Sequence, residues 1–104
     1  MIFIINMDTS IPSSLAEEWL TQLQASGYRL TTPMRVLVEL LANTSRALEP
    51  VDLYDLGRRE YPKMGLVTVY RTLEKLEELE LITRVHQANG CHAYLRAANG
   101  HEHI

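Results

Sequence analysis

The fold of this chain is decided by residues 65–96, which read GLVTVYRTLEKLEELELITRVHQANGCHAYLR. The first part has apolar side chains at the three- and four-residue spacing of a helix face, at Leu66, Val69, Leu73, Leu76 and Leu79. Between residues 81 and 87 this spacing ends, and β-branched and apolar residues predominate. Asn89-Gly90 then favours a tight turn, because the primed turns of short hairpins need positive φ at their central residues. We therefore predict a helix followed by a two-stranded hairpin, with residues 91–96 as the return strand.

Further helices are predicted upstream of this stretch. The first has apolar residues at helical spacing and stops at Gly27. The second begins at Thr31-Thr32-Pro33, a hydroxyl cap followed by a proline in the first turn, and the third runs from Pro50 to just before Pro62. An order of several helices followed by one hairpin is typical of a winged helix-turn-helix. The predicted fold class is mainly α with a small β-hairpin.

The composition limits the class of protein. With 104 residues, 46% of them hydrophobic and 22% charged, the chain is expected to form one globular domain. Ten Lys and Arg against thirteen Asp and Glu give a net charge of −3, which argues against a uniformly polybasic nucleic-acid binder but not against a local basic patch. The single cysteine excludes an internal disulfide framework, and the apolar run at residues 1–5 is too short to span a membrane. Because Gly-rich phosphate loops and serine nucleophile motifs are missing, we expect no enzyme.

The last helix carries the residues best suited to contact DNA. In a helix-turn-helix, the second helix of the motif enters the major groove. Opposite the apolar stripe, this helix is predicted to show Thr68, Arg71, Thr72 and Lys75, with Tyr70 at the flank. Arginine offers guanine a bidentate fork, and Thr or Tyr can donate to phosphate or touch a thymine methyl. The sequence leaves a second interpretation open, an ordinary solvated helix face, which the acidic residues at 74, 77, 78 and 80 would suit because they repel phosphate.

Four arginines outside this helix, Arg29, Arg35, Arg84 and Arg96, are further candidates for DNA contacts. Arg84 and Arg96 are predicted to lie on the wing, as the hairpin is called in this fold. Arg29 precedes the second helix and opens the one stretch of the chain with a clear excess of basic side chains.

Several motifs together resemble the ferric uptake regulator family. They are GYRLTTP at 27–33, VDLY at 51–54, GLVTVYRTL at 65–73, NGCHAY at 89–94 and HEH at 101–103. The most specific piece is TVYR at 68–71, and the similarity extends over residues 15–104. The resemblance implies a metal-responsive transcriptional repressor whose winged helix binds an inverted-repeat DNA operator.

The resemblance also implies roles for single residues. Tyr70 and Arg71 match the family's groove-facing pair, and Arg29 matches the basic residue that reaches the minor groove. Two positions depart from the family pattern. Arginine is usual where Met34 stands, although Arg35 follows directly, and glycine is usual where Glu80 stands. A glutamate at the second position is expected to strain a backbone turn that glycine makes freely.

The histidines and the cysteine are confined to the C-terminal part of the chain, at His86, Cys91, His92, His101 and His103. Imidazole and thiolate are ligands that zinc takes, and His-x-His at 101 and 103 can place both rings on one side of an extended strand. The alternative is a set of solvated polar side chains near a chain end. The resemblance favours a site, because His101 and His103 match the hinge ligands of the family's sensing metal.

The remaining ligand positions of that site depart from the family. They fall at Arg46 or Ala47 and near Leu95, which cannot bind a metal, so Cys91 or His86 would have to substitute. We expect zinc or ferrous iron in the full-length protein, with the thiolate favouring zinc. The 104-residue chain alone is expected to bind zinc weakly or not at all.

The resemblance predicts the organisation of the chain and its partners. Residues 1–12 are expected to be a poorly ordered leader, residues 13–98 the DNA-binding domain, and residues 99–104 the start of a hinge to a dimerisation domain that the chain lacks. We expect a homodimer of the full-length protein, a mainly monomeric chain, double-stranded DNA as partner, no membrane association and a cytoplasmic location. The competing hypothesis is a winged-helix protein-interaction module without DNA binding, which the acidic balance would suit.

Overall fold

Four helices precede a two-stranded antiparallel hairpin in the computed structural model, which describes residues 14–97. The elements are α1 (Ser14–Ala25), α2 (Thr32–Ala42), α3 (Pro50–Glu60), α4 (Leu66–Glu78), β1 (Ile82–His86) and β2 (His92–Arg96). This confirms the predicted mainly α winged helix-turn-helix. The predicted leader at 1–12 and hinge at 99–104 lie outside the described residues. Within residues 14–97, no helix is long and apolar enough to cross a bilayer.

The helix starts follow from local chemistry. The hydroxyl of Thr31 accepts a hydrogen bond from the backbone N–H of Met34 at 3.3 Å, which caps α2. Pro50 is the first residue of α3, where its missing N–H costs nothing. The carboxylate of Asp52 accepts from the backbone N–H of Glu49 at 3.0 Å and closes the start of α3.

The turn between α3 and α4 is set by a close approach at Gly57. A Cβ atom at this position would lie 2.9 Å from Cε of the buried Met64 and 3.5 Å from Cδ2 of Leu37. Any larger residue at this position would therefore displace the terminal methyl group of Met64, which packs against α3 in the turn before α4.

The core joins all four helices and the base of the hairpin. Its largest fully buried side chains are Leu23, Leu37, Val38, Leu41, Leu48, Leu53, Val69, Thr72 and Leu76. The buried stripe of α4 is therefore rotated from the predicted one. Thr72 is only 2% exposed, whereas Leu66 is 43% exposed. The prediction that Thr72 faces outward is wrong, because Val69, Thr72, Leu73 and Leu76 form an i, i+3, i+4, i+7 face on which a threonine is packed like a valine.

The wing pairs Ile82 with Arg96 at its base and His86 with His92 at its tip. Its loop is longer than a two-residue primed turn. The N–H of Gly90 donates to the carbonyl of Gln87 at 2.9 Å, and Gly90 has φ 87° while Asn89 is outside the left-handed region. The predicted hairpin is confirmed. The predicted tight turn is wrong, because it needs positive φ at its central residues Asn89 and Gly90 and only Gly90 has it.

The wing is anchored to the helices through β2. Leu48 and Tyr94 exchange two backbone hydrogen bonds of 2.8 Å, N–H to carbonyl in both directions. The guanidinium of Arg96 donates from Nη1 to the carbonyl of Ala42 at 2.7 Å. Arg96 therefore ties the wing to the end of α2. It lies on the wing as predicted, and its contact with DNA stays a prediction.

Glu80 lies in the turn between α4 and β1 with φ 62°, and it is the one non-glycine residue with positive φ among residues 14–97. A side chain in this left-handed region costs roughly 1–2 kcal/mol relative to glycine. The expected strain at this departure from the family pattern is confirmed.

Candidate nucleic-acid interface

The first two turns of α4 present an exposed surface that contains no acidic residue. Val67 is 62% exposed and Tyr70 is 52% exposed, and the side chain of Arg71 is also exposed. Thr68 is half-buried beside them. Of the residues predicted to contact DNA, Tyr70, Arg71 and Thr68 are brought together here.

An open groove of about 310 Å³ runs between this part of α4 and the wing. Its helix side is formed by Val67, Tyr70, Arg71, Leu73, Glu74 and Glu77, and its wing side by Arg84 and Tyr94. The groove therefore offers apolar, aromatic and guanidinium groups next to one another. Sequence reasoning did not identify Val67, because a single valine outside the core stripe gives no signal until its exposure is known.

The acidic residues of α4 lie in its second half, and two of them are engaged by partners. Glu77 accepts from Arg84 through both oxygens, with Nη2···Oε1 at 2.9 Å and Nε···Oε2 at 3.1 Å. This pairing raises the pKa of the Arg84 guanidinium above its usual value. The negative charge of Glu77 is therefore offset at the edge of the groove.

The second engaged acid is Glu78, which contacts the loop between α1 and α2. The hydroxyl of Tyr28 donates to Oε1 of Glu78 at 2.9 Å, and this hydrogen bond raises the pKa of Tyr28 above its usual value. The ammonium of Lys75 lies 5.2 Å from the centre of the Tyr28 ring. Arg29 follows Tyr28 directly in the chain and is exposed.

Arg35 lies on α2, in its first turn, and is exposed. Met34, at the position where the family has arginine, is buried in the core with 6% exposure. The departure at residue 34 thus adds an apolar contact to the core, and Arg35 is the nearest cation that can reach solvent.

One face of the wing carries four polar or aromatic side chains in two facing pairs. Arg84 is opposite Tyr94, with the guanidinium carbon 5.9 Å from the ring centre, and His86 is opposite His92. The side chains of each strand alternate between faces, so both pairs share one face. This face borders the groove beside α4.

The described residues do not form the predicted sensing-metal site. Among residues 14–97, no group of three or more His, Cys, Asp or Glu side chains is placed to hold a metal ion. His86 and Cys91 lie at the turn end of the wing, at the opposite end of β2 from Leu95. His101 and His103 lie outside the described residues, so their role stays a prediction.

Comparison with known proteins gives consistent relatives. The sequence model of the ferric uptake regulator family matches residues 25–104. The ferric uptake regulation protein of Bacillus subtilis (strain 168) is 40% identical over 88 residues, which cover 80% of this chain and 59% of that protein. That of Brucella abortus biovar 1 (strain 9-941) is 31% identical over 84 residues, covering 80% of this chain and 60% of that protein.

A solved structure shows the same fold. The Helicobacter pylori ferric uptake regulator Fur superposes with a TM-score of 0.73 at 21% identity, covering 84% of this chain and 58% of that one. At this identity the likeness concerns the fold alone. The chain spans about three fifths of the length of the curated relatives that it matches.

Proposed function

The chain belongs to the ferric uptake regulator family, and from this premise we propose that residues 14–97 are the sequence-specific DNA-binding domain of a metal-dependent transcriptional repressor. The observation that carries the proposal is the acid-free N-terminal half of α4, where Val67, Tyr70 and Arg71 are exposed beside the wing. Such a helix end is what a winged helix-turn-helix inserts into the major groove.

Each exposed group of α4 has a role in this proposal. Arg71 can donate two parallel hydrogen bonds to guanine O6 and N7. Val67 and Tyr70 offer apolar contact to thymine methyl groups, and the hydroxyl of Thr68 can donate to a phosphate oxygen. Base contacts therefore come from the first two turns of α4.

Basic residues outside the first turns supply the contacts to the DNA backbone. Lys75 lies over the Tyr28 ring, Arg29 follows Tyr28 in the chain, and Arg35 lies on α2. We assign Arg29 to the minor groove and Arg35 and Lys75 to phosphates. Arg84 keeps its Nη1 donors available while Glu77 accepts from Nη2 and Nε, so it can contact a phosphate without leaving its ion pair.

Metal dependence is proposed as a property of the longer protein. Because residues 14–97 form no site with three ligands, the proposed ligands are His101 and His103, with Cys91 or His86 as the substitute on the wing. Zinc or iron binding would then set the position of this domain relative to the rest of the protein. No step of DNA recognition by α4 requires a metal.

The proposed DNA target is an inverted repeat read by two copies of this domain in a homodimer of the full-length protein, in the cytoplasm. The 104-residue chain is expected to be mainly monomeric and to bind one half-site weakly, since dimer-level affinity needs both half-sites.

A second candidate function is a protein-interaction module. The exposed large apolar residues Val51, Leu66, Val67 and Tyr70 favour it, together with the net charge of −3. If these residues dock a partner protein, the chain should show no sequence preference among DNA duplexes.

The test is binding of the chain to duplexes selected from a random library, followed by titration of variants. Arg71→Ala and Tyr70→Ala are each expected to weaken binding by about 1–3 kcal/mol, the scale of a lost base contact. The matched control is Arg46→Ala, because Arg46 is an exposed arginine in the loop between α2 and α3 that has no proposed DNA contact. Equal binding by all four proteins, or no selected sequence at all, would overturn the proposal.

A further inference from the structure

The two histidines at the tip of the wing face each other. His86 and His92 are directly opposite in the strand register, and their ring centres are 4.7 Å apart with the planes at 85°. Both side chains are exposed. Directly opposite residues of an antiparallel pair have Cβ atoms about 4.5–5.5 Å apart, so the backbone holds the two side chains within reach of one common ion.

Two imidazoles at this separation suit one transition-metal ion. Zinc binds imidazole nitrogen at about 2.0–2.1 Å, and two such bonds at a tetrahedral ion need ring centres only slightly further apart than those seen here. Imidazole also suits copper and nickel, with copper bound more tightly than zinc. We propose that His86 and His92 together bind one divalent transition-metal ion of the zinc and copper class, with water in the remaining positions.

The turn that carries the two histidines is already ordered by its own hydrogen bonds. The N–H of Gln87 donates to the carbonyl of Cys91 at 2.9 Å, and the N–H of Cys91 donates to Oδ1 of Asn89 at 2.9 Å. The side-chain amide of Gln87 donates to Oε2 of Glu49 at 3.1 Å, which ties the turn to α3. Ion binding therefore orders two side chains and no backbone.

This site differs from the sensing site proposed above, although His86 is also a candidate ligand there. It uses His92, which the sensing site does not require, and it needs no residue beyond 97. A bound ion would add positive charge to the same wing face as Arg84. An effect of that charge on DNA binding rests on the proposed function, whereas metal binding by His86 and His92 does not.

The test uses the 104-residue chain with His101→Gln/His103→Gln as the background, which leaves His86 and His92 as the remaining two of four histidines. Zinc is titrated by calorimetry, and the imidazole ring protons are followed by NMR. We expect one zinc ion per chain and shifts of both rings. His86→Gln and His92→Gln, made singly in this background, should each weaken zinc by about tenfold or more, since even outer-shell partners of metal ligands change affinity by about 10–100-fold.

Two further measurements identify the ligands. In the same background, the electron paramagnetic resonance spectrum of bound Cu²⁺ should show coupling to two equivalent nitrogens, and to fewer in either single variant. Glu18→Gln on α1 is the control and should leave zinc affinity within about threefold, which is less than the smallest loss expected for a ligand's supporting partner. The proposal is overturned by an absence of zinc binding in the background chain or by zinc affinity that is unchanged in His92→Gln. The NMR spectrum of each variant checks that the hairpin is still formed.

Discussion

Glu77 of α4 holds Arg84 of β1 through two parallel hydrogen bonds, at 2.9 Å from Nη2 to Oε1 and 3.1 Å from Nε to Oε2. The pair links the helix proposed to enter the major groove to the wing beside it. It also removes one unpaired negative charge from a surface that is proposed to meet phosphate. The side chain of Arg84 is 48% exposed and that of Glu77 is 31% exposed. Because solvent screens such a pair, it contributes more to charge and orientation than to stability.

Changing Glu77 to Gln should therefore strengthen DNA binding and make it more salt-dependent. Without the Glu77 carboxylate, the positive charge of Arg84 is no longer offset beside the phosphate that it contacts, which should steepen the slope of log K against log salt by about 0.9. Fluorescence anisotropy with a random duplex between low and moderate salt measures both quantities. The control is Glu18→Gln on α1, which should change neither. Weaker binding by Glu77→Gln would show that the pair's orientation of Arg84 matters more than its charge.

Tyr28 should lose its proton at higher pH than an ordinary tyrosine. Its hydrogen bond to Glu78 raises the pKa above the usual value of about 10. A raised folded-state pKa means that the hydrogen bond stabilises the fold below the unfolded pKa, and that this stability is lost as pH rises through the folded pKa. The ultraviolet difference titration between the chain and Tyr28→Phe isolates this group.

Glu78→Gln should shift that difference titration back toward pH 10, because the charged acceptor is lost. An unchanged titration in Glu78→Gln would mean that the hydrogen bond does not form in solution.

Glu80→Gly should stabilise the domain. Glycine removes the cost of φ 62° at this turn but adds backbone entropy to the unfolded chain, and the net gain should be about 0.5–1 kcal/mol. Urea unfolding followed by circular dichroism measures the difference. Glu80→Ala is the matched control, since it removes the same carboxylate but keeps the strained conformation and should bring no such gain. Equal stabilisation by both variants would assign the effect to charge.

Val67 should determine a preference for thymine at one operator position. A 62% exposed valine on the first turn of α4 can contact the C5-methyl group, which uracil lacks. Replacing each thymine of the selected duplex in turn by deoxyuridine should reveal one position where binding weakens. Val67→Ala should reduce the discrimination at that position and leave the other positions unchanged. Discrimination that is the same in Val67→Ala would remove Val67 from the base contacts.

The element order and the location of the wing could be predicted because they depend on local patterns. Helical spacing, Pro50 and the Asn89-Gly90 pair act over a few residues, and the strain at Glu80 follows from a position where the family has glycine. The outward face of α4 was predicted incorrectly, because the observed buried face is rotated about the helix axis relative to the predicted one. A threonine at position 72 looks polar in sequence, and only the packing of neighbouring helices shows that it is buried.

Long-range contacts explain the remaining differences. Arg96 donates to Ala42 across 54 residues of sequence, and Tyr28 donates to Glu78 across 50. No periodicity or motif indicates such partners. The contact between His86 and His92 is local. It was not predicted because a five-residue loop, and not the expected two-residue turn, sets the strand register.

The salt dependence of binding by the 104-residue chain to its selected half-site decides whether this domain reads DNA. We expect log K to fall linearly with log salt, by about 0.9 for each phosphate contacted, and a scrambled duplex to bind more weakly at every salt concentration. Arg71→Ala should reduce the difference between the two duplexes. Binding that does not change with salt, or equal affinity for the selected and scrambled duplexes, would contradict a DNA-reading domain and favour the protein-interaction module.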